Sequence, residues 1–231
     1  MTVYYLSIAL ASEATFGRGD GVPGLVDREI DHDEAGCPLL GGRALKGLLL
    51  EEAVNLRFAL GEERWQPWTA ASTWLFGVSG ATTTGTAQVH IGPALLPPAL
   101  RAALHAQVRA GEMRREDVLD ALTSLRRQTA VNAATGAPEQ GSLRTMRVLL
   151  RDTPLIARLD CATPPDADAL ALLAACVLAV RRGGTGRNRG RGRLQMLLHA
   201  DLPAAYTDAT FTKTQVAHFA HKLGVALEGY S

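Results

Sequence analysis

DALALLAACVLAVRRGGTGRNRGRGRLQMLLH, residues 168–199, sets three segments in a row: an apolar run, a glycine–arginine run and a second apolar run. Asp168–Val180 reads as a strongly apolar helix, and Leu194–His199 as a short buried strand. Between them, arginines stand at 181, 182, 187, 189, 191 and 193, with no acid from 181 to 196. The whole chain has a formal net charge of only +1, so this charge is placed locally and not spread by composition. Glycine–arginine runs can be disordered tails. A run held at both ends by core elements is instead expected to be an ordered helix-to-strand loop. Glycine allows positive φ and close backbone approach to a ligand. Successive N–H groups in such a turn form an anion-binding nest, and guanidinium forks match phosphate. The expected ligand is a long phosphorylated polymer.

The bulk of the chain agrees with a globular carrier for that loop. A length of 231 residues predicts one large domain or two small ones. With 47% hydrophobic and 20% charged residues, it can build a core without disulfides. Cys37, Cys161 and Cys176 are far apart and lack C-x-x-C spacing, which argues against a disulfide framework and a zinc site. No secretory pattern opens the sequence and no apolar run reaches membrane-spanning length, so a cytoplasmic location is expected.

Toward the N-terminus, Val3–Leu10 reads as a strand, followed by a Gly-, Pro- and Asp-rich loop over residues 14–42. That is long for a connection in a compact domain, and such loops are functional or disordered. Leu45, Leu48, Leu49, Ala53, Leu56 and Leu60 make one stripe of a helix from about Arg43 to Leu60, with Gly61 as its C-cap. Trp65, Trp68 and Trp74 precede the tripeptide Leu75-Phe76-Gly77. They suit core packing, or stacking on bases as in single-strand binders. Thr86–Ile91 predicts a second strand, and Pro97–Leu125 one or two helices. Ser142–Leu150 and Leu155–Asp160, joined by residues 151–154, predict a β-hairpin, and Lys213–Leu227 is weakly helical. The order predicts an α+β fold: a ferredoxin-like (RRM-like) βαββαβ core with long insertions, including a thumb-like β-hairpin.

Two nucleotide motifs are excluded. A dinucleotide fingerprint opens a helix after a strand, whereas residues 181–196 follow a helix and enter a strand. Gly41-Gly42-Arg43-Ala44-Leu45-Lys46-Gly47 lacks the G-K-[ST] ending of a phosphate loop.

The trio PLLGGRALKG (38–47), LFG (75–77) and GGTGRNRGRGRL (183–194) resembles the RAMP superfamily of CRISPR-associated proteins. These are the ferredoxin-like subunits that form the backbone of type III RNA-targeting effector complexes. The pattern runs from the first strand to about His199. TAVNAATGAPEQGSLRTMRVLL (129–150) resembles their thumb hairpin through Thr135, Gly136 and Ala137. Asn132 and Ala133 depart from the usual Asp-Arg, and Arg147 stands where an acid is common.

The resemblance implies a single RAMP domain over residues 1–231, with the loop 14–42 and a thumb-like insertion at about 128–160. It implies as partners a guide (CRISPR) RNA, a target RNA, other RAMP subunits and a large signature subunit. The implied RNA-binding residues are Gly41, Gly42, Arg43 and Lys46 at the helix start, and Thr135 in the thumb. The glycine–arginine loop adds Gly184, Gly186, Arg187, Arg189, Gly190, Arg191 and Arg193. Free N–H groups and the positive end of the dipole at a helix start suit an anion, and Lys46 adds a point charge. Helix start and loop are expected to converge on one groove.

The implied catalytic residue is Asp27, in the loop about twenty residues before the L-K-G helix start, which would also hold Mg²⁺ (or Mn²⁺). Attack by a ribose 2′-OH needs in-line geometry and charge stabilisation. A carboxylate can hold the metal or accept the proton. Loop aspartates more commonly cap turns, and Asp20, Asp31 and Asp33 compete for the role, with His32 as a metal-free base. Arg126 and Arg127 could touch RNA or face solvent. Two other readings stay open: a non-catalytic guide-RNA-binding spacer or cap subunit of the same complex, and a stand-alone guide-processing endoribonuclease.

Overall fold

The structure, a computed structural model, describes residues 1–225 apart from 18, 23, 24, 79, 81–84, 131–133, 138 and 140. Asn132 and Ala133 of the thumb-like segment therefore lie outside the described residues, as do residues 226 and 227 of the expected terminal helix.

The first strand, β1 (Thr2–Leu10), is central. Its even-numbered side chains Leu6, Ile8 and Leu10 are buried to within 1% exposure, as period-two alternation requires. After the 14–42 loop come α1 (Gly42–Trp65), a short 3-10 turn, α2 (Thr69–Phe76) and β2 (Val89–Leu95). Two short helices, α3 (Pro98–Ala110) and α4 (Arg115–Leu122), lead into β3 (Thr123–Gln128) and β4 (Arg144–Leu149). The chain returns through β5 (Pro154–Cys161), α5 (Ala167–Ala179), β6 (Leu194–His199) and α6 (Thr210–Lys222).

The protein is thus α+β. Its main sheet has the order β2-β5-β1-β6, and every neighbouring pair is antiparallel. The register sets Leu6 opposite Ala157 and Leu198, and Ile8 opposite Leu155 and Met196. These residues share one face, and that face is buried with Leu45 and Leu49 of α1 and Leu172, Ala174 and Val177 of α5. The other face carries Tyr5, Ser7, Ala9, Arg158 and Gln195.

The expected hairpin is corrected. Ser142–Leu150 and Leu155–Asp160 do not pair with each other. β4 pairs with β3 in a separate two-stranded sheet, while β5 pairs with β1 and β2. Both runs are apolar and adjacent, but Asp152, at φ 64° and with its N–H on Leu10 O, turns the chain from one sheet into the other. The β3–β4 ribbon thus stands apart from the main sheet, and residues 155–160 belong to that sheet. Gly61, expected to end the helix, is non-helical at φ 75° and ψ 165°; it interrupts α1 after Leu60, and a further helical stretch runs from there to Trp65.

The 14–42 loop is ordered over its described residues. Ala14 pairs with Leu149 and Leu40 with Ala94, while Val26, Ile30, Ala35 and Leu40 are buried. Trp65 and Trp68 belong to the core, with Trp68 fully buried against the Phe219 ring at 4.5 Å, so packing and not base stacking explains them. Trp74 is partly buried, and its indole N–H donates to Thr163 Oγ1. All three cysteines are unpaired and buried, and burial pushes the Cys37 thiol up to about 11. Among the described residues no helix is long and apolar enough to cross a membrane.

The edge strand β6 is closed by a side chain. Thr212 Oγ1 accepts from Leu198 N–H and donates to Leu198 O, both at 2.8 Å and fully buried. Thr212→Val keeps the shape but leaves both backbone groups unpaired, so a loss of about 1–3 kcal/mol is expected in urea denaturation. Beside it, buried His199 shares a 2.8 Å hydrogen bond with Ser7 Oγ. Burial pushes its pKa down, partly offset by Asp208. The unfolded chain titrates near 6.5 (roughly) and so binds more protons below that pH. The contribution of His199 is therefore full above that value and is lost as pH falls through the depressed folded value. His199→Gln should flatten the decline in urea midpoint between about pH 7 and 5.

Candidate nucleic-acid interface

The glycine–arginine segment is the ordered helix-to-strand loop expected of it. Its base closes like a hairpin: Gly183 N–H donates to Gly192 O at 2.9 Å, Leu194 N–H donates to Arg181 O, and Arg182 faces Arg193 across an antiparallel bridge. A β-carbon on Gly192 would sit 1.9 Å from Gly183 O, and its φ is +68°. Only glycine closes that base. The tip is a 3-10 turn, Arg187–Arg189, flanked by Gly186 and Gly190 in left-handed conformation.

The loop is docked on two elements. Thr185 N–H donates to Thr15 O and Gly192 N–H to Glu13 O, both at 2.8 Å. The Arg187 guanidinium grips Glu51 of α1 through two bonds of 2.7 and 2.8 Å. That grip holds the Glu51 carboxyl below the usual carboxylate range. Arg187, expected on RNA, is thus engaged as a staple, leaving Arg189 and Arg191 facing the space beyond.

That space is a cleft of about 470 Å³ between the loop and β4. One wall carries Gly184, Gly186, Arg189 and Arg191; the other carries Asp27, Arg28, Arg144 and Thr145. Asp27 reaches it because residues 27 and 28 run alongside β4. Asp27 N–H donates to Thr145 O at 2.8 Å, its Oδ2 accepts from Thr145 N–H at 2.6 Å, and Arg147 N–H donates to Arg28 O. Beneath this edge lies Arg147, 5% exposed, paired at 3.0 Å with Glu29, 2% exposed, and also bonded to Asp120 and Thr123.

The other candidate acids are occupied elsewhere. Asp33 caps a turn through Ala35 and Cys37 N–H and takes bonds from Arg101 and His105. Burial alone would raise its pKa, but the bonds from His105, Arg101 and Cys37 outweigh it and hold it low. Asp33, Cys37 and His105 bring ligand atoms within 4.8 Å of one another, but the Arg101 cation already occupies the carboxylate. Asp31 Oδ2 lies 3.8 Å from where a Gly41 β-carbon would stand, so a carboxylate already neighbours the helix start. Asp20 offers its carbonyl to Glu29 N–H, and His32 Nδ1 lies 3.1 Å from Asp33 O.

The helix-start residues and the loop are brought together only in part. Gly42 is jammed against β2, where a β-carbon would meet Ile91 O at 2.2 Å. The loop rests on α1 through Leu48, beneath Gly183, and through Glu51. At roughly 100° per residue, Lys46 points about 160° away from Leu48 around the axis. Gly41, Gly42, Arg43 and Lys46 therefore do not line the cleft, and neither do Gly190 and Thr135. Arg193 faces a second cleft, with Arg181 and Arg182. Arg126 pairs with Glu13 and holds that carboxyl low, with Arg191 adding to the effect.

Arg28, Arg144 and Thr145 are among the lining residues that sequence reading missed. Their only signal was adjacency, Arg28 to Asp27 and Arg144 to the thumb-like segment, and it acquires meaning once β4 and residues 27–28 lie side by side. For Mg²⁺ or Mn²⁺ the cleft offers one carboxylate, Asp27, among five arginines. Such a donor set fits a hard divalent ion only when phosphate oxygens and water complete the shell.

No protein-family model and no curated sequence matches the chain. Solved structures do. A chain of the type III-B Cmr-beta complex bound to cognate target RNA, seen by cryo-EM, superposes with a TM-score of 0.58. It is 12% identical, over 85% of this chain and 96% of that one. A chain of type III-B Cmr-beta in its apo state gives 0.59 at 12% identity, over 84% and 96%. The likeness is one of fold. At that identity the target RNA belongs to the Cmr-beta complex, and the shared property is architecture.

Proposed function

We propose that this protein is a guide-RNA-binding backbone subunit of a type III CRISPR ribonucleoprotein, a single RAMP domain that cuts guide-paired target RNA. The observation that carries the reading is the shared cleft: Asp27 and the glycine–arginine loop, far apart in sequence, line one basic space. The sheet order β2-β5-β1-β6, with α1 after β1 and α5 after β5, supports a ferredoxin-like βαββαβ core. The β3–β4 ribbon is read as the thumb, carrying Thr135 in its connection. The resemblance in fold to Cmr-beta chains points the same way.

In this reading Arg189 and Arg191 hold phosphates, and each phosphate neutralised adds about −0.7 to the slope of log K against log salt. Asp27 meets the target strand at the scissile phosphate and accepts the proton of the 2′-OH as that oxygen bonds to phosphorus and the bond from phosphorus to the 5′-oxygen breaks; it is also the residue that would hold a metal ion. A bound Mg²⁺ or Mn²⁺ would supply charge stabilisation. Arg28 and Arg144, on the same wall, stabilise negative charge developing on the phosphoryl oxygens. Sequence choice rests with guide–target pairing, as in other RNA-guided effectors.

A second reading has its own observation. The Asp27 carboxylate already takes Thr145 N–H, which is a structural tie and suits a non-catalytic spacer or cap subunit. The deciding experiment assembles the complex with guide RNA, complementary RNA and Mg²⁺. Asp27→Ala should retain guide RNA and lose cutting. Cutting at the parental rate would leave only the binding role.

A further inference from the structure

The glycine–arginine loop is two-sided. Arg189 at its tip and Arg191 just after it line the cleft with Asp27, whereas Arg181, Arg182 and Arg193 at its base line another, of about 680 Å³. That second cleft lies at the edge of β6, lined by the sheet face turned away from α1 and, around the edge, by Leu178 and Val180 at the end of α5. Its floor is shallow and small: Ala9 and Ala11 on and just beyond β1, both exposed, beside Gln195 of β6. Tyr206 forms part of the wall, held there because its carbonyl accepts from buried Ser7 Oγ at 2.9 Å. No acidic side chain is among the lining residues.

The bridge between Arg182 and Arg193 is the telling feature. Residues directly opposite on an antiparallel pair point to the same side, and like charges set so are destabilising. Both side chains are exposed, and the Arg182 guanidinium is fixed on the loop by donating to Arg187 O at 2.9 Å; an anion bound here relieves the repulsion between the two arginines and gains charge-assisted hydrogen bonds. Small residues on the floor leave room for a planar ring, and a tyrosine at the wall offers a stacking face.

We propose that this second cleft binds one nucleotide of single-stranded RNA, its phosphate on Arg181, Arg182 and Arg193 and its base over Ala9 and Ala11 against Tyr206. The inference rests on the RNA-binding reading above and extends it. The strand would pass from one side of the loop to the other, so that the loop acts as a post around which the backbone is wound.

The test uses the full chain and fluorescein-labelled oligouridine, with binding followed by anisotropy across a salt series. Arg181→Ala/Arg193→Ala should weaken binding and make the slope of log K against log salt shallower by about 0.7, the share of one phosphate. Both side chains are exposed, and an unchanged melting temperature will show that the fold is kept. Tyr206→Ala should lower affinity about ten-fold at every salt concentration without changing the slope, and Tyr206→Phe should restore it. If Arg189→Ala/Arg191→Ala weakens binding but Arg181→Ala/Arg193→Ala does not, the second cleft is not an RNA site, while the RNA reading survives. If the parent fails to bind, or neither pair matters, both readings fall. Unchanged affinity in Tyr206→Ala removes the base from this cleft.

Discussion

Asp27→Asn is expected to lower cleavage of guide-paired RNA by at least about 100-fold in the assembled, Mg²⁺-supplied complex. Guide-RNA retention and thermal stability should stay at parental values. The asparagine oxygen can still accept from Thr145 N–H, and the backbone bond from residue 27 to Thr145 O is untouched. What the amide lacks is the negative charge and basicity that a metal or a 2′-OH proton requires. Asparagine thus separates the two roles of this carboxylate, which alanine removes together. A variant that cuts at the parental rate would assign Asp27 to the tie alone and make the subunit a non-cutting member of its assembly. Single-turnover cleavage measured beside guide-RNA co-purification checks both halves.

Arg147→Leu should cost about 3–5 kcal/mol in equilibrium denaturation, the range for removing one partner of a buried ion pair. Glu29 would be left at 2% exposure without its Arg147 partner, its Oε1 still accepting from Ile30 N–H. The double variant Arg147→Leu/Glu29→Leu should lose less than Arg147→Leu by itself, because no charge then remains buried. Equal losses in the two would mean that the pair is solvated and that the packing of the long side chain is what matters. The same pair braces the segment bearing Asp27: Glu29 follows it by two residues, and Arg147 N–H holds Arg28 O. A partly destabilised variant such as Arg147→Lys should therefore lose cleavage rate more than guide-RNA binding.

Several parts of the fold were legible because their signals are local. The apolar stripe of α1, the apolar run of α5 and the short strand β6 each sit within a few residues of where periodicity put them. The loop between α5 and β6 was readable as ordered because core elements bound it on both sides. The ends of elements were less legible. Gly61 does break the helix where expected, but nothing local showed that a further helical stretch follows at once, where Trp65 and Trp68 enter the core. The pairing of β4 was not legible at all. Two apolar-rich runs joined by Arg151, Asp152, Thr153 and Pro154 look like a hairpin, and nothing in their composition says that the first pairs with β3 and the second with β1 and β2.

By itself the sequence determined where positive charge is concentrated, that a core surrounds it, and that a loop acid precedes the helix at Gly42. Charge, hydropathy and glycine content are properties of neighbours along the chain, so they survive without coordinates. Tertiary structure alone decided which arginines are spent and which are available. Arg187 is consumed by Glu51, Arg126 by Glu13 and Arg147 by Glu29, in contacts spanning 136, 113 and 118 residues. Only the folded chain decided that Asp27 lies against β4 across from Arg189 and Arg191, and that Lys46 points elsewhere. The physical reason is that a guanidinium or carboxylate takes its role from the partner within hydrogen-bond reach, and strand pairing, not sequence proximity, sets that partner.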